Sequence, residues 1–112
     1  MTDEQALNKE TIFALKETLG EIFDELRDAF IEDGEILIKQ ADEAMTNADY
    51  TSLASYVHTL KSSAKNIGAD GLGESCLQLE DLLVKGDYQI IEILIPEMSG
   101  QMESVKKALL EI

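Results

Sequence analysis

Cysteine, proline, histidine and tryptophan are nearly missing from this chain, with one, one, one and none. A single thiol, Cys76, cannot close an internal disulfide, and the sequence reads as that of a cytoplasmic protein. Seven glycines and one proline in 112 residues leave little material for long loops. Basic residues are scarce too, nine against 23 acids, giving a formal charge of -14 and a pI near 4.2. Such a surface repels phosphate backbones and anionic lipid, so neither nucleic acid nor a membrane is an expected partner. No long apolar run exists; the most apolar short stretch, Ile90 to Ile95, is interrupted by Glu92. The opening MTDEQALNKE lacks the basic and apolar regions of a secretory signal.

What the chain does contain is helical periodicity. Residues 1–7 read as a flexible tail and 8–112 as one domain. Asn8 is a candidate N-cap for a short helix over 9–19, stopped by Gly20. From Glu21 to Thr46, Leu26, Phe30, Leu37, Ala41 and Ala44 share one face, with Gly34 in register; the pattern fits one kinked helix or two abutting ones. Asp49 is placed to cap a helix ending at Gly68, and Asp70 to start another, with Leu72, Cys76, Leu79 and Leu83 as its stripe. Gly86-Asp87 repeats that stop-and-start pattern. The last segment, 88–111, puts Ile91, Leu94, Met98, Met102, Val105 and Leu109 on one face, with Pro96 expected to bend or break it. No strand alternation appears. The expected fold is all-α, an antiparallel four-helix bundle with a short additional N-terminal helix.

Charge then singles out one stretch. Residues 1–49 hold 14 acids and 4 bases, and residues 70–112 hold 9 acids and 3 bases. Between them, Tyr50 to Ala69 contains no acid, both Lys61 and Lys65, and the lone His58. On a helix, Leu53, Val57, Leu60, Ala64 and Ile67 form the apolar stripe. His58 projects roughly 140° from its centre, beside Ala54, Ser55, Lys61, Ser62 and Lys65. A core role does not suit that angle.

Other chemistries fail on spacing. A calcium loop starting at Asn66 would have Gly68 and Leu77 where carboxylates are needed. A di-iron bundle needs Glu-x-x-His pairs, but Ser55 stands three before His58 and there is no second His. One Cys and one His on different helices do not make a zinc site, and Cys76 sits on an apolar stripe. An acyl carrier would need Asp-Ser-Leu at a helix start, where this chain has Thr51-Ser52-Leu53. No metal or other cofactor is therefore expected on this chain. What remains is an exposed imidazole able to hold a phosphoryl group on nitrogen, with two ammonium groups to relieve its charge. No acid lies near it in sequence to hold Mg²⁺ or act as a base.

The run His58-Thr59-Leu60-Lys61-Ser62-Ser63-Ala64-Lys65-Asn66-Ile67-Gly68 resembles the signature of histidine-containing phosphotransfer (HPt) domains, His-x-Leu-Lys-Gly-Ser with a glycine ten residues after the histidine. The likeness extends over nearly the whole chain, including Gly86-Asp87 and Leu79-Glu80. It implies a phosphorylated His58 that accepts phosphate from an Asp of one response-regulator receiver domain and passes it to another. The receivers would supply Mg²⁺, and a hybrid sensor kinase would stand upstream. Lys61 matches the family lysine beside the phosphohistidine, and Lys65 is expected to assist it. Glu80 falls where some members place a polar side chain facing the histidine; it could orient the ring, or be an ordinary solvated glutamate. Ser62 departs from the family glycine. Phe13, from a first helix rich in apolar residues, is expected to stay exposed near His58 as a docking surface, together with Ala54, Ser55 and Ser62. The resemblance implies a carrier and not an enzyme, expected here as a monomeric, free-standing shuttle. A receiver-docking adaptor that carries no phosphate is the competing reading.

Overall fold

Turn signals and apolar stripes resolve into five helices in a computed structural model that describes residues 6–112. They are α1 (Lys9–Leu19), α2 (Ile22–Thr46), α3 (Tyr50–Ile67), α4 (Asp70–Lys85) and α5 (Tyr88–Glu111). The molecule measures 42 × 23 × 19 Å. A 25-residue helix spans about 37 Å, so the long helices lie side by side along the long axis. α3 packs between α2 and α4, α5 closes the bundle against both, and α1 sits on α2 and α3 at one end. No helix is long and apolar enough to cross a membrane, among the described residues.

Capping bonds form at Asn8 and Asp49, whereas Asp87 stands at the N-cap of α5 without a side-chain bond, and one cap shifts by a residue. Asn8 accepts from the amides of Glu10 and Thr11, and its own amide donates to the Gly68 carbonyl at 2.7 Å. Asp49 accepts from the Ser52 amide at the start of α3. α4 does begin at Asp70, but its N-cap is Ala69; Asp70 instead accepts from the Asn8 side chain at 2.9 Å. Asn8 therefore ties α1 to the α3–α4 junction. Of the flexible tail expected over 1–7, residues 1–5 lie outside those described. Ala6 is buried and Leu7 packs on the core, so residues 6 and 7 belong to the packed domain. Leu7 precedes the cap and Ile12 is the fourth helical residue; both line one groove, in the manner of a hydrophobic staple.

α2 is one helix, and Gly34 has a packing role within it. A Cβ there would stand 2.6 Å from Met102 Cε and 2.9 Å from Sδ, so the missing side chain admits α5. Phe23 and Ile31 join Phe30, Ala41 and Ala44 in the core, while Leu37 is half-buried and Leu26 lies at the surface beside α3. α5 is not broken at Pro96. The carbonyl deprived of its donor is that of Glu92, and both residues are exposed, so water can serve it. Leu83 and Leu94 are only half-buried, and Cys76 is fully buried beside the Met98 sulfur, 3.8 Å away. Burial pushes the Cys76 thiol up to about 12, which leaves it inert as a nucleophile.

Gly68 and Gly86 end α3 and α4 in the left-handed region, at φ 87° and 76°. Only Gly68 is crowded, since a Cβ would meet Thr11 Cβ and Cγ2 at 3.1 Å; at Gly86 nothing lies within 4 Å. Gly86→Ala is expected to cost about 1 kcal/mol from backbone strain alone. Gly68→Ala should cost about 2 kcal/mol, because Thr11 must also move. Denaturant midpoints measure both, and equal losses would show that α1 is not seated on Gly68.

Candidate functional site

α3 is fixed by its apolar stripe: Leu53, Val57, Leu60, Ala64 and Ile67 are all buried. The opposite face is thereby forced outward, and the His58 side chain is 63% exposed. From α4, Glu80 Oε2 lies 3.4 Å from His58 Nδ1, a long contact. The other oxygen, Oε1, lies 2.8 Å from Lys61 Nζ. Glu80 and Lys61 are 23% and 20% exposed, so their pair is partly shielded. Among the described residues, Nε2 makes no hydrogen bond or ion pair with the protein. Burial alone would push the Glu80 carboxyl up, but Lys61 and then His58 outweigh it and hold it below the usual range. Its stabilising charge is therefore present at neutral pH and lost only as pH falls through that depressed value.

Lys65 reaches α4 one turn further on, pairing with Glu74 Oε1 at 3.4 Å. Its stem lies across Gly73, where a Cβ would stand 2.8 Å from Lys65 Cγ. Both lysines of the acid-free stretch are thus already met by carboxylates of α4. Neither Gly73 nor Glu74 was legible as part of the site, because nothing in the spacing announces contacts between α3 and α4. The acid absent near His58 in sequence is supplied across the helix pair instead.

The remaining residues divide by position. Ser55 and Ser62 are exposed on α3, and the Ser55 carbonyl accepts from the Thr59 hydroxyl at 3.0 Å. Ala54 is half-buried in a groove with Glu80, Leu83 and Val84, beside the Tyr50 and Tyr88 rings stacked at 3.7 Å. Phe13 is exposed, at 66%. Its groove of about 420 Å³ is shared with Leu7, Ile12, Lys16, Ala108 and Ile112, from the ends of the chain. The structure does not bring it together with His58 in that groove.

A helical bundle that offers one imidazole to solvent, with a carboxylate and an ammonium group behind it, defines a narrow class. The model of the Hpt domain family matches residues 25–108, and the chain belongs to that family, whose domains serve in phosphorelays. The fold is shared with histidine-containing phosphotransfer protein B of Pseudomonas aeruginosa, with a TM-score of 0.91 at 24% identity over 95% of this chain and 92% of that one. It is shared also with a rice protein named for histidine-containing phosphotransfer, with a TM-score of 0.85 at 16% identity over 98% and 82%. No curated protein sequence matches.

Proposed function

We propose that His58 carries a phosphoryl group between aspartates of response-regulator receiver domains, downstream of a hybrid sensor kinase. The observation that carries this reading is the ring, 63% exposed, whose Nδ1 faces Glu80 at 3.4 Å. With the Nδ1 proton directed at the carboxylate, the lone pair lies on Nε2. That lone pair attacks phosphorus of an aspartyl phosphate as the bond to the carboxylate oxygen breaks, its electron pair returning to the aspartate. The reverse step loads the next receiver. Lys61 and Lys65 offset the phosphoryl charge, which is close to two units.

The chain acts as a carrier without a catalytic site of its own. Mg²⁺ is supplied by the receivers. Docking uses the face around His58, where Ala54, Ser55 and Ser62 are small enough to let a receiver approach. Phe13, exposed on α1, offers the receiver a further apolar contact. The working form is a cytoplasmic monomer.

The test is to incubate the protein with labelled, phosphorylated receivers and Mg²⁺. Label should appear on this chain, unstable to acid and stable to base as a phosphoramidate bond requires. Acid-stable label would refute the histidine assignment. Receiver binding without any label would make the chain a docking adaptor.

A further inference from the structure

The carboxylate behind His58 serves two groups at once. Glu80 Oε1 pairs with Lys61 at 2.8 Å, and Oε2 faces His58 Nδ1 at 3.4 Å. Lys61 is therefore not free to meet a phosphoryl group in the resting protein. We propose that Glu80 stores Lys61 and releases it to the phosphoryl group when His58 is phosphorylated, so that this carboxylate sets how firmly the site retains its cargo. The inference rests on the reading of His58 as the phosphoryl carrier.

The exchange conserves charge pairing. Before phosphorylation Lys61 neutralises Glu80. Phosphorylation at Nε2 with the Nδ1 proton retained leaves a positive ring, and that ring faces Glu80. The carboxylate can then part with Lys61 without being left alone in a partly shielded site. The phosphoryl group bears about twice the charge of Glu80 and outcompetes it for the ammonium. Residues three apart on a helix are neighbours, so Lys61 reaches His58 by changing rotamer alone.

Other charges nearby do not replace it. Lys65, on the same helix, is engaged with Glu74 of α4. On the α2 side, the charged residue that shares a groove with α3 is Asp33, next to Ser63 and Asn66. An anion at His58 thus draws first on the Lys61–Glu80 pair. Because Glu80 competes for that ammonium, it weakens retention of the phosphoryl group and favours handing it on.

Glu80→Gln alone has two opposed effects: it frees Lys61, and it removes the carboxylate facing the phosphorylated ring. A double-mutant cycle separates them. Wild type, Glu80→Gln, Lys61→Ala and the double variant are each brought to equilibrium with one phosphorylated receiver, and the division of label is measured. The effect of Glu80→Gln should favour phospho-His58 about fivefold more with Lys61 present than in the Lys61→Ala background. Equal effects in both backgrounds would overturn the exchange and leave Glu80 acting on the ring alone. A second measurement needs no variant. On phosphorylating wild type with phosphoramidate, the Lys61 Nζ resonance should shift together with that of the Glu80 carboxyl carbon; a Lys61 signal unmoved by phosphorylation sinks the proposal. A wild-type protein that takes no label from either donor would instead overturn the carrier reading, and this inference with it.

Discussion

His58→Gln is expected to take no label from a phosphorylated receiver while keeping its fold. The side chain is 63% exposed and lies outside the packed interior, where Leu53, Val57 and Leu60 hold α3 in place. Among the described residues its one hydrogen-bonding partner is Glu80, at a long 3.4 Å, and Glu80 retains Lys61 when the ring is removed. Exposed substitutions of this kind change stability by about 0.5 kcal/mol or less. Glutamine keeps a polar group of similar length but has no nitrogen lone pair able to attack phosphorus, because the amide nitrogen's is delocalised. The chain has no second histidine to substitute. Circular dichroism should show unchanged helicity and melting, with the loss confined to labelling. Label that persists in this variant places the phosphoryl acceptor elsewhere.

Much of this arrangement was legible because local signals agreed with each other. Asn8, Asp49, Gly20, Gly68 and Gly86 mark helix ends that the structure reproduces to within a residue. These signals are local: a cap acts within one turn and needs no knowledge of the rest of the chain. The outward direction of His58 followed from the stripe opposite it. What stayed open, or came out in part, depended on neighbouring helices and on solvent. Gly34 left one kinked helix or two abutting ones open; α2 is one helix, and Met102 of α5 occupies the space above Gly34. Pro96 was expected to bend or break α5; the helix is not broken, and the carbonyl left without a donor belongs to the exposed Glu92. Asp70 starts α4 as expected, but with Ala69 at the N-cap, and its carboxylate is the partner of Asn8, 62 residues away in sequence.

The same division holds at the site. The acid-free stretch from Tyr50 to Ala69 suggested two unpaired lysines around an imidazole. In the folded protein α4 returns two carboxylates to that surface, Glu74 on Lys65 and Glu80 on Lys61. A local charge count cannot see this, because the α3–α4 turn brings together residues 19 positions apart in the case of Lys61 and Glu80. The functional consequence is that positive charge near His58 is held in reserve, and access to it depends on what binds there.

Replacing Ser62 with glutamine is expected to nearly abolish transfer from receiver to His58, with helicity and melting temperature almost unchanged. Ser62 is exposed on α3, one turn after His58 and about 40° around the helix, so its side chain stands beside the route to Nε2. In-line transfer requires the receiver carboxylate and the imidazole to close on one phosphorus. Displacement by about 1 Å in such a geometry costs roughly a hundredfold in rate. A serine hydroxyl adds little bulk and can donate a hydrogen bond to a phosphoryl oxygen, whereas a glutamine side chain occupies the space the receiver must enter. Glutamine is also a better helix former than serine, so a loss of transfer could not be ascribed to a weakened α3. Ser62→Gly should preserve transfer, at a stability cost of about 0.5 kcal/mol for glycine within a helix. The deciding control is phosphorylation by phosphoramidate, a donor small enough to reach Nε2 past either side chain. Both variants should accept label from it at close to the wild-type rate. Normal transfer from a receiver to the Ser62→Gln protein would show that docking does not use this face of α3, and the interface would then have to lie on the α4 side, over Ala54 and Glu80.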